Sequence, residues 1–351
     1  MKFRTELDPI PLQKKINLSN KIVAMGSCFS ENIGQKLLEN KFETLINPFG
    51  VIFNPLSVIQ LLEWIIEERN GEVLMDNLEN FYIQHDEVWY NYHLHSKIAS
   101  QDKEELKQII KEKAKQTFDF LENADTIILT FGTAFMYELE VENEEYGNTK
   151  TPISNCHKQN KNLFDKKLID LETAKTKFEE FIKKINAFAK KENKQEKQII
   201  ITVSPVRHLK EGLVENSVSK SILRVLAHSI CQNKTEKIEN VIYFPSYELV
   251  LDDLRDYRFY ETDLLHPNSQ AIDYIWQKFS ESYFDSDTQN FIKKWQKITS
   301  SLAHKPFFPN RKSHQDFIQK LILDLEKLEK EFSVDVKEEI ELLKNTNTKS
   351  V

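Results

Sequence analysis

The sequence predicts an α/β fold in which a parallel sheet lies between two layers of helices, and three observations predict it. Five short apolar runs of β type are separated by stretches whose apolar residues recur at helical spacing, the alternation that βαβ units produce. Three of the chain's seven glycines, Gly26, Gly50 and Gly132, stand just after strand candidates, where tight turns or close backbone approach need them. With 40% hydrophobic residues, 23 phenylalanines and 11 tyrosines among them, the chain can cover both faces of such a sheet.

The elements follow in order. Ile22–Met25 reads as a buried strand, and Glu31–Leu38 continues it with helical periodicity. Glu43–Ile46 is the second strand and Leu56–Arg69 the helix after it. Residues 78–100 interrupt the pattern. There Phe81-Tyr82-Ile83 and Val88–His95 alternate, which predicts a hairpin with His93 and His95 on one face. A helix over Lys103–Leu121 leads into the third core strand, Thr126–Thr130.

A second insertion, residues 134–165, carries Phe135–Val141, the turn Tyr146-Gly147-Asn148 and Asn155-Cys156-His157-Lys158; it reads as a hairpin returning to the active edge. The helix Leu171–Lys191, strand Ile199–Val203, helix Ser217–Cys231 and strand Val241–Phe244 complete a flavodoxin-like sandwich. Residues 1–285 make one domain on this reading. Beyond it lie Trp295, Thr299-Ser300-Ser301, Pro306-Phe307-Phe308-Pro309 and the charged amphipathic run Asp316–Leu328. These predict a C-terminal helical extension, 286–351, laid across the domain or against a second copy as a homo-oligomer contact.

In open α/β sheets ligands bind beyond the carboxyl ends of the strands, and Ser27, Gly50, Gly132 and Ser204 all follow strands there. Ser27 sits at a strand-to-helix turn, beside N–H groups that can hold an oxyanion. A serine hydroxyl needs a base, and Asp263-Leu264-Leu265-His266 supplies one: His266 as general base, with Asp263 fixing its tautomer. Cys28 is a rival nucleophile or a small buried hydrophobe.

Met25-Gly26-Ser27-Cys28-Phe29-Ser30 resembles the signature of the GSCFA family, with serine in place of its last alanine. Asn47-Pro48-Phe49-Gly50, Thr130-Phe131-Gly132-Thr133, Asn155–Lys158, Ser204-Pro205-Val206-Arg207-His208 and Asp256-Tyr257-Arg258-Phe259-Tyr260 extend the resemblance over residues 5 to 285. That family in turn resembles the SGNH/GDSL hydrolases. The resemblance implies a triad of Ser27, Asp263 and His266, and an oxyanion hole from the amides of Ser27, Gly50, Gly132 and Thr133. One departure stands out. Where SGNH hydrolases carry Gly-x-Asn-Asp this chain reads Gly132-Thr133-Ala134-Phe135, so the asparagine donor is missing. Thr133 or Asn54 is then the substitute donor.

Around this centre, Asn54, His95, His157, Arg207, His208 and Arg258 are the substrate-binding candidates. Arg207 or Arg258 suits an acidic acceptor, or Arg258 braces the Asp263–His266 loop. The function expected is a serine esterase that removes a small acyl group, such as acetyl, from an oxygen of a polar, sugar-like substrate. An O-acyltransferase would use the same residues, and a non-catalytic carbohydrate or small-molecule binding protein would use only the cleft.

Composition excludes other classes. A net charge of −7 and a pI near 5.8, with lysines interleaved among glutamates, argue against nucleic-acid binding. No apolar run reaches membrane-span or signal-peptide length, which predicts a cytoplasmic protein with no membrane partner. Three cysteines without a CxxC motif, and no phosphate loop or GxGxxG, predict neither metal nor cofactor.

Overall fold

The computed structural model describes residues 4–67, 72–141, 149–191, 195–232, 240–302 and 311–348. Strand β1 (Ile22–Gly26) runs into α1 (Cys28–Glu39), and β2 (Thr44–Ile46) is followed by α2 (Pro55–Glu67) and α3 (Glu72–Leu78). The hairpin β3 (Tyr82–His85) and β4 (Val88–Asn91) precedes α4 (Lys103–Asn123). Then come β5 (Thr126–Phe131), β6 (Phe135–Val141), β7 (Thr149–Ile153), β8 (Phe164–Leu168) and α5 (Leu171–Lys191). Strand β9 (Gln198–Val203) leads to α6 (Gly212–Cys231). Strand β10 (Val241–Phe244) leads to the short α7 (Ser246–Glu248), which continues as a π-helical turn over Leu249–Leu254. The chain ends in α8 (Ser269–Tyr283), α9 (Ser286–Leu302), α10 (Lys312–Phe332) and α11 (Lys337–Thr348).

All five apolar runs become strands of one parallel sheet, ordered β2-β1-β5-β9-β10. Alternate residues of each strand serve different layers. Val23, Met25, Ile127, Leu129, Ile199 and Ile201 pack with α2 to α6, whereas Ile22, Ala24, Ile128 and Ile200 pack with α1, α8 and the C-terminal helices. Both faces are covered, so the strands read as continuous apolar runs instead of alternating ones. Successive connections leave β1 in opposite directions, to β2 on one side and onward to β5 on the other. This topological switch lies past the ends of β1 and β5, where Ser27 and Gly132 stand and where open α/β sheets bind ligands.

The insertions differ from expectation. The second insertion runs on to Leu168 and holds three strands, ordered β7-β6-β8, because Phe164–Leu168 returns along β6; the Tyr146-Gly147-Asn148 turn lies outside the described residues. The Asp165-Lys166-Lys167 stretch hid that strand, since its side chains face solvent. The first insertion is the expected hairpin, but β4 ends at Asn91, so His93 and His95 lie in the following loop and share no strand face. The two insertions pack on each other through Phe81, Tyr92, Ile153 and Phe164.

Within the chain, α9 to α11 lie across the domain on the α1 side. Trp295 is buried and its indole N–H donates to Glu39 O at 2.7 Å, while Leu325 and Val336 are fully buried in the core shared with α1 and α8. Lys41 pairs with Glu339 at 2.6 Å. The Pro306–Pro309 run lies outside the described residues.

Candidate active site

The β1–α1 turn is built on a glycine that no other residue can replace. Gly26 has φ +133°, and a Cβ there would stand 2.0 Å from Thr130 O. Its N–H donates to Asn47 Oδ1 at 2.9 Å, and the Ser27 N–H donates to Thr130 O at 2.9 Å. Ser27 then caps α1, its Oγ accepting from the Phe29 N–H at 3.3 Å. It is 0% exposed. Cys28, one residue on, is partly exposed; burial, helped by Glu31, raises its thiol pKa, and the Lys220 charge opposes that rise.

The space beside Ser27 is shared with a histidine. The point at which a Gly132 Cβ would stand lies 3.2 Å from Ser27 Cβ, 3.1 Å from His208 Nε2 and 3.0 Å from Phe53 Cδ1. His208 packs edge-on against Phe53, its backbone N–H donates to Asn216 Oδ1, and its buried Nε2 has no hydrogen-bond partner. Burial, reinforced by the Lys220 and His266 charges, brings its pKa down to about 4. His208 is neutral at pH 7.

Beneath the corner is a buried lysine that sequence reasoning missed. Lys220 of α6 donates to Gly132 O at 2.6 Å and to Ser204 O at 2.7 Å, tying together the ends of β5 and β9. Among the described residues no carboxylate pairs with it, and burial pulls its pKa down to about 7. A signal existed: Lys220 is in register with Leu223, Ala227 and Ile230 on the apolar face of its helix.

Asp263 and His266 meet as expected. His266 Nδ1 lies 2.7 Å from Asp263 Oδ2, while Asp263 Oδ1 accepts from the N–H groups of Leu265 and His266. Those two backbone donors, with the imidazole, hold the Asp263 carboxyl at about 2. Both side chains are near half exposed. The loop is fixed to the 204–208 segment, the Arg207 N–H donating to Leu265 O at 3.2 Å, and the Arg207 guanidinium lies 4.3 Å from the Tyr260 ring centre. Among the described residues no hydrogen bond joins Ser27 Oγ to His266.

The expected amide donors are engaged elsewhere in this structure. Besides Ser27, the Gly50 N–H donates to Asn47 O, and those of Gly132 and Thr133 both donate to Phe53 O. Thr133 Oγ1 bonds Ser219 and the Phe135 N–H. Asn54 caps α2, its side chain bonding the Ser57 N–H and hydroxyl. His157 is buried with both ring nitrogens bonded, to Asn91 O and Ser96 Oγ, so it braces the insertion. His95 lies on Gly50 near the first turn of α1, and Arg258 is exposed beside Asp256. His93, between Trp64 and Phe81, is core.

The sequence model of the GSCFA family matches residues 21–279. The chain belongs to the GSCFA family. Its signature forms the turn and first helical turn just described, Gly26 through Ser30. A second model, the GSCFA domain protein C-terminal domain, matches residues 295–349, from Trp295 through α11. No curated protein matches the chain. Among the described residues, no helix is long and apolar enough to cross a membrane, and no three His, Cys, Asp or Glu side chains are grouped to hold a metal ion. A cleft of about 840 Å³ lies at the far end of α1 from Ser27, lined by Lys36, Asp273, Trp276 and Trp295. It holds none of the GSCFA signature residues.

Proposed function

We propose that the corner hydrolyses an ester of a small acyl group, such as acetyl, on an oxygen of a polar, sugar-like substrate, in the manner of SGNH/GDSL hydrolases. One observation carries the reading: at the β1–β5 switch point Ser27 lies beside His208, and His266, held by Asp263, is near enough to His208 to act on its charge. Ser27 Oγ attacks the acyl carbon and its proton passes to His266. The bond to the alcohol oxygen then breaks, and His266 returns the proton to that oxygen. Water opens the acyl-enzyme by the same route. Because Ser27 is covered and its Oγ is bonded to Phe29, opening of the corner is a step of the reaction.

The exposure of Cys28 favours a second nucleophile, which would give a thioester intermediate and the same products. The test is labelling by a fluorophosphonate probe together with turnover of p-nitrophenyl acetate and O-acetylated sugars. Ser27→Ala should lose both while melting as the parent does. Loss on Cys28→Ala alone moves the nucleophile, and acetyl passing to added alcohols at the expense of acetate makes the enzyme an O-acyltransferase. A parent protein that neither labels nor turns over is a binding protein, and the reading fails.

A further inference from the structure

We propose that His208 is a catalytic residue: its Nε2–H donates to the oxyanion that forms beside Ser27, the task left open by the missing asparagine. This rests on the ester-hydrolysis reading and adds to it. Three observations carry it. Ala134 stands where a side-chain donor is expected and has none, and the amides of Ser27, Gly50, Gly132 and Thr133 already donate within the protein. His208 Nε2 is buried without a partner, an unfavourable state that a ligand oxygen would relieve. That nitrogen and Ser27 Cβ border the same face of Gly132, 3.1 and 3.2 Å from where its side chain would begin, so residue 132 must be small for His208 and Ser27 to stand together.

The surroundings suit a donor better than a base. Lys220 below and His266 beside it both disfavour a charged ring, and burial does so most, so the imidazole stays neutral through the working range. A neutral imidazole N–H is a competent partner for a developing oxyanion, and it carries no proton that must leave during the reaction. When Ser27 Oγ bonds to the acyl carbon, the carbonyl pair moves onto oxygen. His208 stabilises that charge and transfers nothing. His266 alone moves the proton.

The test pairs variants with a measurement on the parent protein. His208→Leu, which removes the donor, should lower kcat by roughly 10²–10³ with KM little changed, and His208→Gln, which restores an N–H, should recover most of the loss. Nitrogen-15 spectra of the parent at pH 7 should show His208 neutral with its proton on Nε2, and that proton should shift when a boronic acid adds to Ser27. An active parent with His208→Leu equally active overturns the inference alone, as does a ring protonated on Nδ1. A parent that neither cleaves esters nor takes a fluorophosphonate overturns the underlying reading as well.

Discussion

Lys220 Nζ lies 2.6 Å from the Gly132 carbonyl oxygen and has no carboxylate partner among the described residues. An ammonium in that position is costly, whereas a neutral amine keeps two N–H donors, enough for both Gly132 O and Ser204 O. With the folded pKa near 7 and the unfolded near 10.5, the unfolded chain binds the extra proton between those values, so the contribution of Lys220 to stability rises as pH rises across that window. Lys220→Met leaves two buried carbonyls unpaired, at about 1–3 kcal/mol each. Urea unfolding should therefore show the variant most destabilised near pH 9.5 and least near pH 6.5. An equal loss at both would mean that Lys220 is not neutral in the folded protein.

The central sheet was legible because its inner strands β1, β5 and β9 are buried on both faces and each strand closes on a small or turn-forming residue. The order β2-β1-β5-β9-β10 is the one a flavodoxin-like sandwich takes, whereas β8 was not legible, since Asp165, Lys166 and Lys167 look like loop. The Asp263–His266 pair was legible because its partners are three residues apart. Lys220 and the bracing role of His157 were hidden because each depends on residues far away in sequence: Gly132 and Ser204 for one, Asn91 and Ser96 for the other. The bonds that the candidate oxyanion-hole amides make in this structure were hidden for a related reason. Sequence marks a turn but does not tell which carbonyl its N–H will find, and Phe53 O takes two of them.

Gly50→Ala tests how the first insertion is seated on the site. Gly50 has φ +76°, and an added Cβ would stand 2.3 Å from His95 Cβ, so the side chain meets both backbone strain, about 1–2 kcal/mol, and a clash that only loop movement relieves. The variant should melt several degrees lower, and amide exchange should quicken at His95 and Ser96. Unchanged exchange there would mean that the 91–98 loop is not held by this contact.

The tail belongs to the core it covers. Trp295 is buried against α1 with its indole N–H on Glu39 O, and Leu325 and Val336 share that apolar layer. Trp295→Ala should cost about 3–5 kcal/mol, typical of emptying a packed aromatic site. A chain ending at residue 285, which would expose Ile33 and Leu37, should not fold to the parent's spectrum. A stable, monomeric 1–285 fragment would instead support the boundary read from sequence.

Asp263→Asn separates orientation of the base from its titration. The Asp263 carboxyl, held at about 2 by two backbone N–H groups and the imidazole, is ionised throughout any practical assay range. Its effect on stability is therefore present above the usual carboxylate value near 3.8 and is lost only as pH falls from there through about 2. An acid limb in the rate profile at higher pH belongs to an imidazole, not to Asp263. The asparagine variant removes the acceptor that fixes Nδ1–H and presents an amide that can pair with either tautomer. It should lower kcat on the order of 10²–10⁴-fold with KM nearly unchanged and keep an acid limb. His266→Ala should lose as much turnover as Ser27→Ala, because members of one proton-transfer unit are not additive. If Asp263→Asn left kcat unchanged, Asp263 would not be what orients His266, and His266 would no longer be the base.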